Sequence, residues 1–539
     1  MSTNLTRRDF LVRTAAATAL SAARGWAQTP PSRAPFRVLY SNDLTNILSC
    51  TSPWHKPRQP LTDQMIEATV DEVTGTGVDV HLLQPGLGWI PWWKSKIYPA
   101  EEHYRWVQQR TGAKPDAYGK YMLEGGDVLK PFIARCRERG QAPFVSLRMN
   151  DAHHLEFANE KNSRAMSASR FYLEHPEYRL GPDPMRSDQH VLNWAIPEVR
   201  AHKLAFIREI CENYDIDGFE MDFMRFCALF QQDKTTREQR CGIMTAFVRQ
   251  VREILDRTAR RGQRRWLCAR VPCLLKGLDG LGLDVRDLSD TGLDMVNVSA
   301  FYYTTQHTEF AAIRKLAPQP AMYLELCHTI WNGPKLVPGY DTSLFRRTTD
   351  EQFYTTAHLA YARGADGMSL FNFAYYREFG SPGRGPFSEP PFHVLKRLGD
   401  RDWLAQQPQH FFLAQGWNNP FERPALLPRK VELNKPLAFN LDFAPPAGGW
   451  KKEGRLRIQT GKPVGDAVWT AKLNRVELPP SADVTEPFPN PSPVMLGTPE
   501  EHRAFRVPTA VLKNGPNRLE LVMSGGQTAS LVFIDVALA

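Results

Sequence analysis

The chain lacks the short motifs of several large enzyme classes. Across its 539 residues, no GxGxxG follows a strand-like run and no phosphate-binding Walker loop occurs. A GxSxG elbow and an HExxH helix are missing too. These absences argue against dinucleotide, nucleotide, serine-hydrolase and zinc-protease chemistry. Cysteine is sparse. The eight thiols are Cys50, Cys136, Cys211, Cys227, Cys241, Cys268, Cys273 and Cys327, with no CxxC and no cysteine–histidine ligand cluster. A zinc site is therefore not expected. Several of these cysteines sit in apolar patterns, where cysteine acts as a small hydrophobe. An oxidising compartment would permit one disulfide, with no pairing assignable from spacing. Long apolar runs are also missing. The run Ala15–Ala23 is too short to cross a bilayer, and no other stretch is long enough.

Charge of one sign is only mildly in excess. The formal net charge is +9, with 67 basic and 58 acidic residues. The basic residues are scattered, apart from a cluster at Arg257, Arg260, Arg261, Arg264 and Arg265 that reads as a solvated helix end. No nucleic-acid motif accompanies it, so no nucleic-acid partner is expected. An anionic substrate is permitted but not demanded. At the N-terminus, Thr6-Arg-Arg-Asp-Phe-Leu11 reads as a twin-arginine export signal, with Gly25-Trp-Ala27 offering small residues for cleavage. This signal, residues 1–27, carries Arg7, Arg8, Arg13 and Arg24 against Asp9, so its removal lowers the charge to +6. The expectation is a periplasmic or secreted protein with no integral membrane segment after signal removal.

What is present is a long alternation of strand and helix signals. After a Pro/Ser-rich leader at 28–34, eight apolar runs read as strands: Phe36–Ser41, Val78–Gln84, Ala142–Leu147, Ile216–Asp222, Trp266–Val271, Met295–Ala300, Ala321–Leu326 and Gly367–Phe373. Near-continuous apolar strands suit a parallel sheet covered on both faces. Helical periodicity falls between them, at Leu61–Thr74, Val128–Arg139, Pro197–Tyr214, Arg237–Arg260, Thr349–Arg363 and Phe392–Leu398. Pro197 suits a first helical turn, and Gly364 a C-cap. Residues 35–404 therefore read as an α/β fold, a (β/α)8 TIM barrel. From 405 to 539 the pattern changes to short strand-like runs punctuated by Pro and Gly. They include Pro436–Phe443, Arg455–Gln459, Ala467–Leu473 and Ala529–Val536, with Asn514-Gly-Pro-Asn517 as a turn between two strands. This part reads as an antiparallel, jelly-roll-like β-sandwich.

The chemistry-bearing residues gather at the predicted C-terminal ends of strands. The fourth run, Asp217-Gly-Phe-Glu-Met-Asp-Phe-Met-Arg-Phe226, puts Gly218, Glu220 and Asp222 on one face. Buried carboxylates need partners. At the mouth of a barrel they are instead placed for catalysis. Asp222 and Glu325, which ends the seventh strand nearly opposite, are the candidate pair for glycoside hydrolysis, where two carboxyl groups flank the bond. Two other readings stay open: a structural Asp–Arg pair at the fourth strand, and a salt bridge from Glu325 to an arginine such as Arg270. The candidates for sugar binding are Asn42, Arg148, Asn150, Asp151, His153, Glu220, Arg225, Arg270, Tyr302, His328 and Asn372. Trp89, Trp92 and Trp93 follow the second strand and read either as a saccharide platform or as core. No cofactor is required.

Three segments resemble the bacterial glycosyl-hydrolase-like TIM barrels of the family-ten-like group. His175-Pro-Glu-Tyr-Arg-Leu-Gly181 is similar to its HPEW-type stretch. Leu192–Arg200 is similar to the segment ahead of its fourth strand, and Asp217–Phe226 to its DGIxFDYIRYP-type motif. The resemblance implies a carbohydrate-active enzyme centred on Asp222. Two departures matter. The fourth strand ends Met221-Asp222, where clan A glycosidases have Asn-Glu. Met224 stands where the chitinase-type DxxDxDxE pattern has its acid, which disfavours substrate assistance. The leading expectation is an exported glycoside hydrolase acting on a polysaccharide or oligosaccharide. The alternatives are a noncatalytic saccharide-binding barrel and another sugar-active chemistry such as a lyase.

Overall fold

Eight parallel strands close into a barrel in the computed structural model, each strand pairing with its sequence neighbours and the last with the first. They are β1 (Val38–Asn42), β2 (Val80–Leu83), β3 (Ala142–Arg148), β4 (Gly218–Asp222), β5 (Trp266–Pro272), β6 (Met295–Ser299), β7 (Ala321–Cys327) and β8 (Gly367–Phe371). The structure describes residues 33–50, 52–54, 59–183, 186, 189–300, 303–331, 345–377, 389–415, 426–489 and 497–538. The predicted export signal, residues 1–27, and Tyr302 lie outside them.

The helices on the outside start where local chemistry permits. α1 (Asp63–Asp71) is capped by the Thr62 hydroxyl. α2 (Leu129–Arg139) follows β2. α3 (Pro197–Asn213) opens on its proline. α4 (Arg237–Thr258) and α5 (Asp350–Ala362) both begin with a capping box, Thr236 with Gln239 and Thr349 with Gln352. Gly364 takes φ +96° just past α5, the backbone region that glycine supplies most easily. Among the described residues, no helix is long and apolar enough to cross a membrane. All eight cysteines are buried free thiols, so the disulfide that the compartment would permit is not formed.

Two antiparallel sheets follow the barrel and pack on a core of their own. One holds β9 (Gln409–Leu413), β11 (Gly454–Thr460), β13 (His502–Val507) and β15 (Ser530–Leu538). The other holds β10 (Leu437–Phe443), β12 (Val468–Leu473) and β14 (Gly515–Ser524). The predicted turn at Asn514–Asn517 does not sit between two strands. A short helical turn, Thr509–Val511, leads into β14 instead, because Pro508 ends β13 and the chain crosses to the other sheet. Residues Phe36–Ala539 form one compact unit. The sandwich is fixed to the barrel by hydrogen bonds as well as packing. Gln306 donates to the His410 carbonyl at 3.1 Å and accepts from the Phe412 N–H at 2.9 Å. Arg363 grips Asp442 with two N–H groups at 2.6 and 2.8 Å.

Candidate active site

The barrel interior is apolar at its floor and polar toward the C-terminal mouth. At the floor, Gly218 leaves room for the Phe144 ring, which a Cβ there would meet at 2.3 Å. One tier up, Glu220 is fully buried. It accepts hydrogen bonds from Ser146 (2.7 Å) and Asn297 (3.2 Å), beside the Cys268 thiol at 3.4 Å. Burial, reinforced by the charge of Asp222, pushes its pKa up to about 7.

The next tier carries the candidate pair. Arg270 of β5 donates from Nη1 to Asp222 of β4, at 3.0 and 3.1 Å. Its Nε and Nη2 grip Glu325 of β7 at 2.6 and 2.7 Å. The guanidinium carbon lies over Phe371, 4.0 Å from the ring centre. Ser299 adds a hydroxyl to Glu325 at 2.6 Å, and the Met224 N–H adds one to Asp222 at 2.9 Å. Asp222, Arg270 and Glu325 are each at most 2% exposed. Burial works against the Arg270 charge, but the two carboxylates outweigh it and hold the guanidinium well above its ordinary value. Burial raises Glu325 above the usual carboxyl range despite Arg270. One cation thus serves two buried acids.

Gln84 connects this triad to the mouth. Its Nε2 donates to Asp222 at 2.8 Å, and its Oε1 accepts from Arg148 Nε at 2.9 Å. The arginine can only donate, so it fixes the orientation of the amide. Arg148 then reaches Asp151 at 2.8 Å and Asp43 at 3.3 Å. A buried lysine holds this corner in place. Lys203 of α3 donates to the carbonyls of Gly88 and Arg148 and lies 3.6 Å from the Trp89 ring centre. Gly88, at φ +73°, admits the loop because a Cβ there would meet Asp151 at 2.9 Å.

A cavity of about 340 Å³ opens above Arg148. Asp43, Arg148, His153, Arg225, Tyr375 and Trp92 line it, with Asp116, Tyr118, His154 and Arg164 from the inserted loops. Of the predicted binding residues, Arg148, His153 and Arg225 face it. Asn42, Asn150, Asp151, Glu220, Arg270, His328 and Asn372 do not line it. Each that can be followed has internal work. Asn42 caps Leu44 and Asn46. Asn372 holds Asp43 at 2.8 Å. Asp151 anchors Arg148 and His153. Asn150 donates to the carbonyls of Leu192 and Ala228 and accepts from the Leu192 N–H. It thereby joins the segment ahead of β4 to the loop after it. His328 is buried, and burial lowers its pKa well below the ordinary value.

The three tryptophans divide. Trp93 bonds Glu209 in the core at 2.9 Å, Trp89 lies beneath Lys203, and only Trp92 reaches the cavity, stacked on Tyr118 at 4.1 Å. The platform reading is corrected to that one ring, because two of the indoles fill the gap between the loop and α3. Asp116, Tyr118 and Arg164 were not among the predicted residues. Asp116 caps the loop helix Ala117–Leu123, and an acid before a helix start is the one signal that pointed there.

No protein-family model and no curated protein matches the chain. Solved structures do. A cycloisomaltooligosaccharide glucanotransferase from a Paenibacillus species is 10% identical, with a TM-score of 0.33, over 93% of this chain and 57% of its own. A β-hexosaminidase mutant from Streptomyces plicatus is 12% identical, with a TM-score of 0.41, over 68% of this chain and 64% of its own. For α-L-fucosidase isoenzyme 1 from Paenibacillus thiaminolyticus the values are 11% and 0.35, over 91% and 97%. The chain spans less than two thirds of the first two.

Proposed function

We propose that the protein is an exported glycoside hydrolase that cleaves O-glycosyl bonds of a polysaccharide or oligosaccharide, with Asp222 and Glu325 as its acid pair. One observation carries this reading: two carboxylates from distant strands, both at the C-terminal ends, meet on one guanidinium. Their surroundings also differ, as acid and base roles require. Asp222 receives N–H donors from Gln84, Met224 and Arg270. It is assigned as base or nucleophile. Burial raises Glu325, which is assigned as the acid. Sugar must displace the Arg148–Gln84 layer to reach them. The twin-arginine pattern at Thr6–Leu11 supports export.

A second reading, a noncatalytic saccharide-binding barrel, is favoured by that same layer, since neither carboxylate lines the cavity. A glycan panel separates the two. Hydrolysis by the wild type, reduced about 10²–10⁴-fold in Asp222→Asn and in Glu325→Gln, is expected. Full activity in both variants refutes the pair. Binding without release, unchanged by either substitution, supports the second reading. An unsaturated product would mark a lyase.

A further inference from the structure

We propose that the cavity selects saccharides bearing an anionic group, a carboxylate or a sulfate ester, and seats that group on a wall built from Arg225, His153, His154 and Arg164. The inference deepens the glycosidase reading and rests on it for the sugar.

The wall is continuous. Arg225 Nη2 lies 3.4 Å from His153 Nδ1. The His153 and His154 rings are 5.9 Å apart, and His154 is 6.2 Å from the Phe157 ring. The Arg164 guanidinium lies over Phe157 at 4.9 Å. Ser163 and Ser167 place their residues at the same lining. Planar guanidinium groups with hydroxyls and imidazoles nearby suit the oxygens of a carboxylate or sulfate.

The acids in reach are mostly engaged elsewhere. Asp151 is held by Arg148 and His153, and Asp43 by Arg148, Asn372 and Thr45. Glu156 approaches His154 only to 3.9 Å. Arg164 is exposed and forms no ion pair among the described residues. The other lining residues differ in kind. Asp43, Asp116, Tyr118, Tyr375 and Trp92 offer acceptors, hydroxyls and an aromatic edge, which suit the neutral hydroxyls of a sugar ring. A ligand that satisfies both sets of residues carries sugar hydroxyls and a negative group.

The test uses the full chain on an array of neutral, uronate-containing and sulfated oligosaccharides. Binding is read apart from sugar release. The expected result is retention of acidic glycans, weakened about tenfold by Arg164→Gln, largely restored in Arg164→Lys, and unchanged by Arg257→Gln, a distant exposed control. The uronate and sulfate arms identify the anion. Retention of neutral glycans only, no acidic glycan bound, or an equal effect of Arg257→Gln overturns the proposal. Arg164-dependent binding of an acidic glycan without its cleavage would overturn the hydrolase reading and leave the anionic wall standing. Cleavage of a neutral glycan unaffected by Arg164→Gln would do the reverse.

Discussion

Replacing Arg270 by methionine tests the centre of the molecule most directly. The side chain is fully buried and is the shared counter-charge of Asp222 and Glu325. Removing one partner of a buried ion pair destabilises by about 3–5 kcal/mol, because the remaining charge has no solvent. Here two carboxylates are left, so the full range applies at alkaline pH. The acids have a way out: they take up protons. In the variant Glu325, already raised by burial, loses the arginine that lowers it, so its folded pKa moves further above that of the unfolded chain. The folded state therefore binds more protons than the unfolded one, and its stability falls as pH rises. Urea unfolding at about pH 5 and pH 8 reads this. The gap between wild type and Arg270→Met should be small at the lower pH and reach several kcal/mol at the higher. The triple variant Arg270→Met, Asp222→Asn, Glu325→Gln should recover much of the loss at pH 8. A gap below about 1 kcal/mol, or one independent of pH, refutes the assignment of a buried, mutually dependent triad.

Further outcomes follow from the same contacts. Glu220 holds its proton to about pH 7 when folded, against an ordinary value of 4.5. The unfolded chain releases it earlier, so this residue's stabilising contribution, on the order of 3 kcal/mol, is present below about pH 4.5 and lost as pH rises to 7. The difference in unfolding free energy between wild type and Glu220→Gln should trace that fall, and a flat difference curve would contradict it. Gln84→Leu leaves Arg148 and Asp222 each one partner short, at about 1–3 kcal/mol apiece, seen as a lower urea midpoint. Gln84→Glu gives Arg148 an acceptor but sets an anion against Asp222, so the acidic limb of any hydrolytic pH profile should move upward. Arg363→Ala removes the grip on Asp442, a partly exposed contact worth about 1 kcal/mol. Faster proteolysis between barrel and sandwich is expected, and an unchanged cleavage rate would show the packing alone to be sufficient.

The barrel was legible in the sequence because its strands are buried on both faces. Such strands read as unbroken apolar runs, and their spacing by amphipathic helices leaves few other architectures. Helix starts at Thr62, Pro197, Thr236 and Thr349 carry their own chemistry, so their positions agree closely with the pattern. The sandwich was less legible at its crossings. Asn514-Gly-Pro-Asn517 has the composition of a hairpin turn, but composition does not say in which sheet the next strand lies. The strand Gln409–Leu413 was not singled out, and its role depends on Gln306 and Thr355 in a distant part of the chain.

The candidate site was legible in its positions and not in its orientations. Polar residues at strand ends are brought together by the barrel: Asp222, Glu325, Arg148 and Arg270 all come to its C-terminal side. What the pattern could not separate is a polar group facing a ligand from one satisfying the loop backbone. Buried N–H and C=O groups need partners as strictly as a substrate does. Asn42 and Asn150 answer that need, and in sequence they look the same as sugar-binding asparagines. Gln84 shows the limit best. It ends an apolar run as one unremarkable amide, yet Arg148 requires an acceptor and Asp222 a donor across the same gap. A side chain with both functions at a fixed separation meets the two demands together, and a carboxylate or an ammonium in its place fails one of them. That requirement exists only once β2, β3 and β4 lie side by side. It is a property of the closed barrel, and local spacing carries no trace of it.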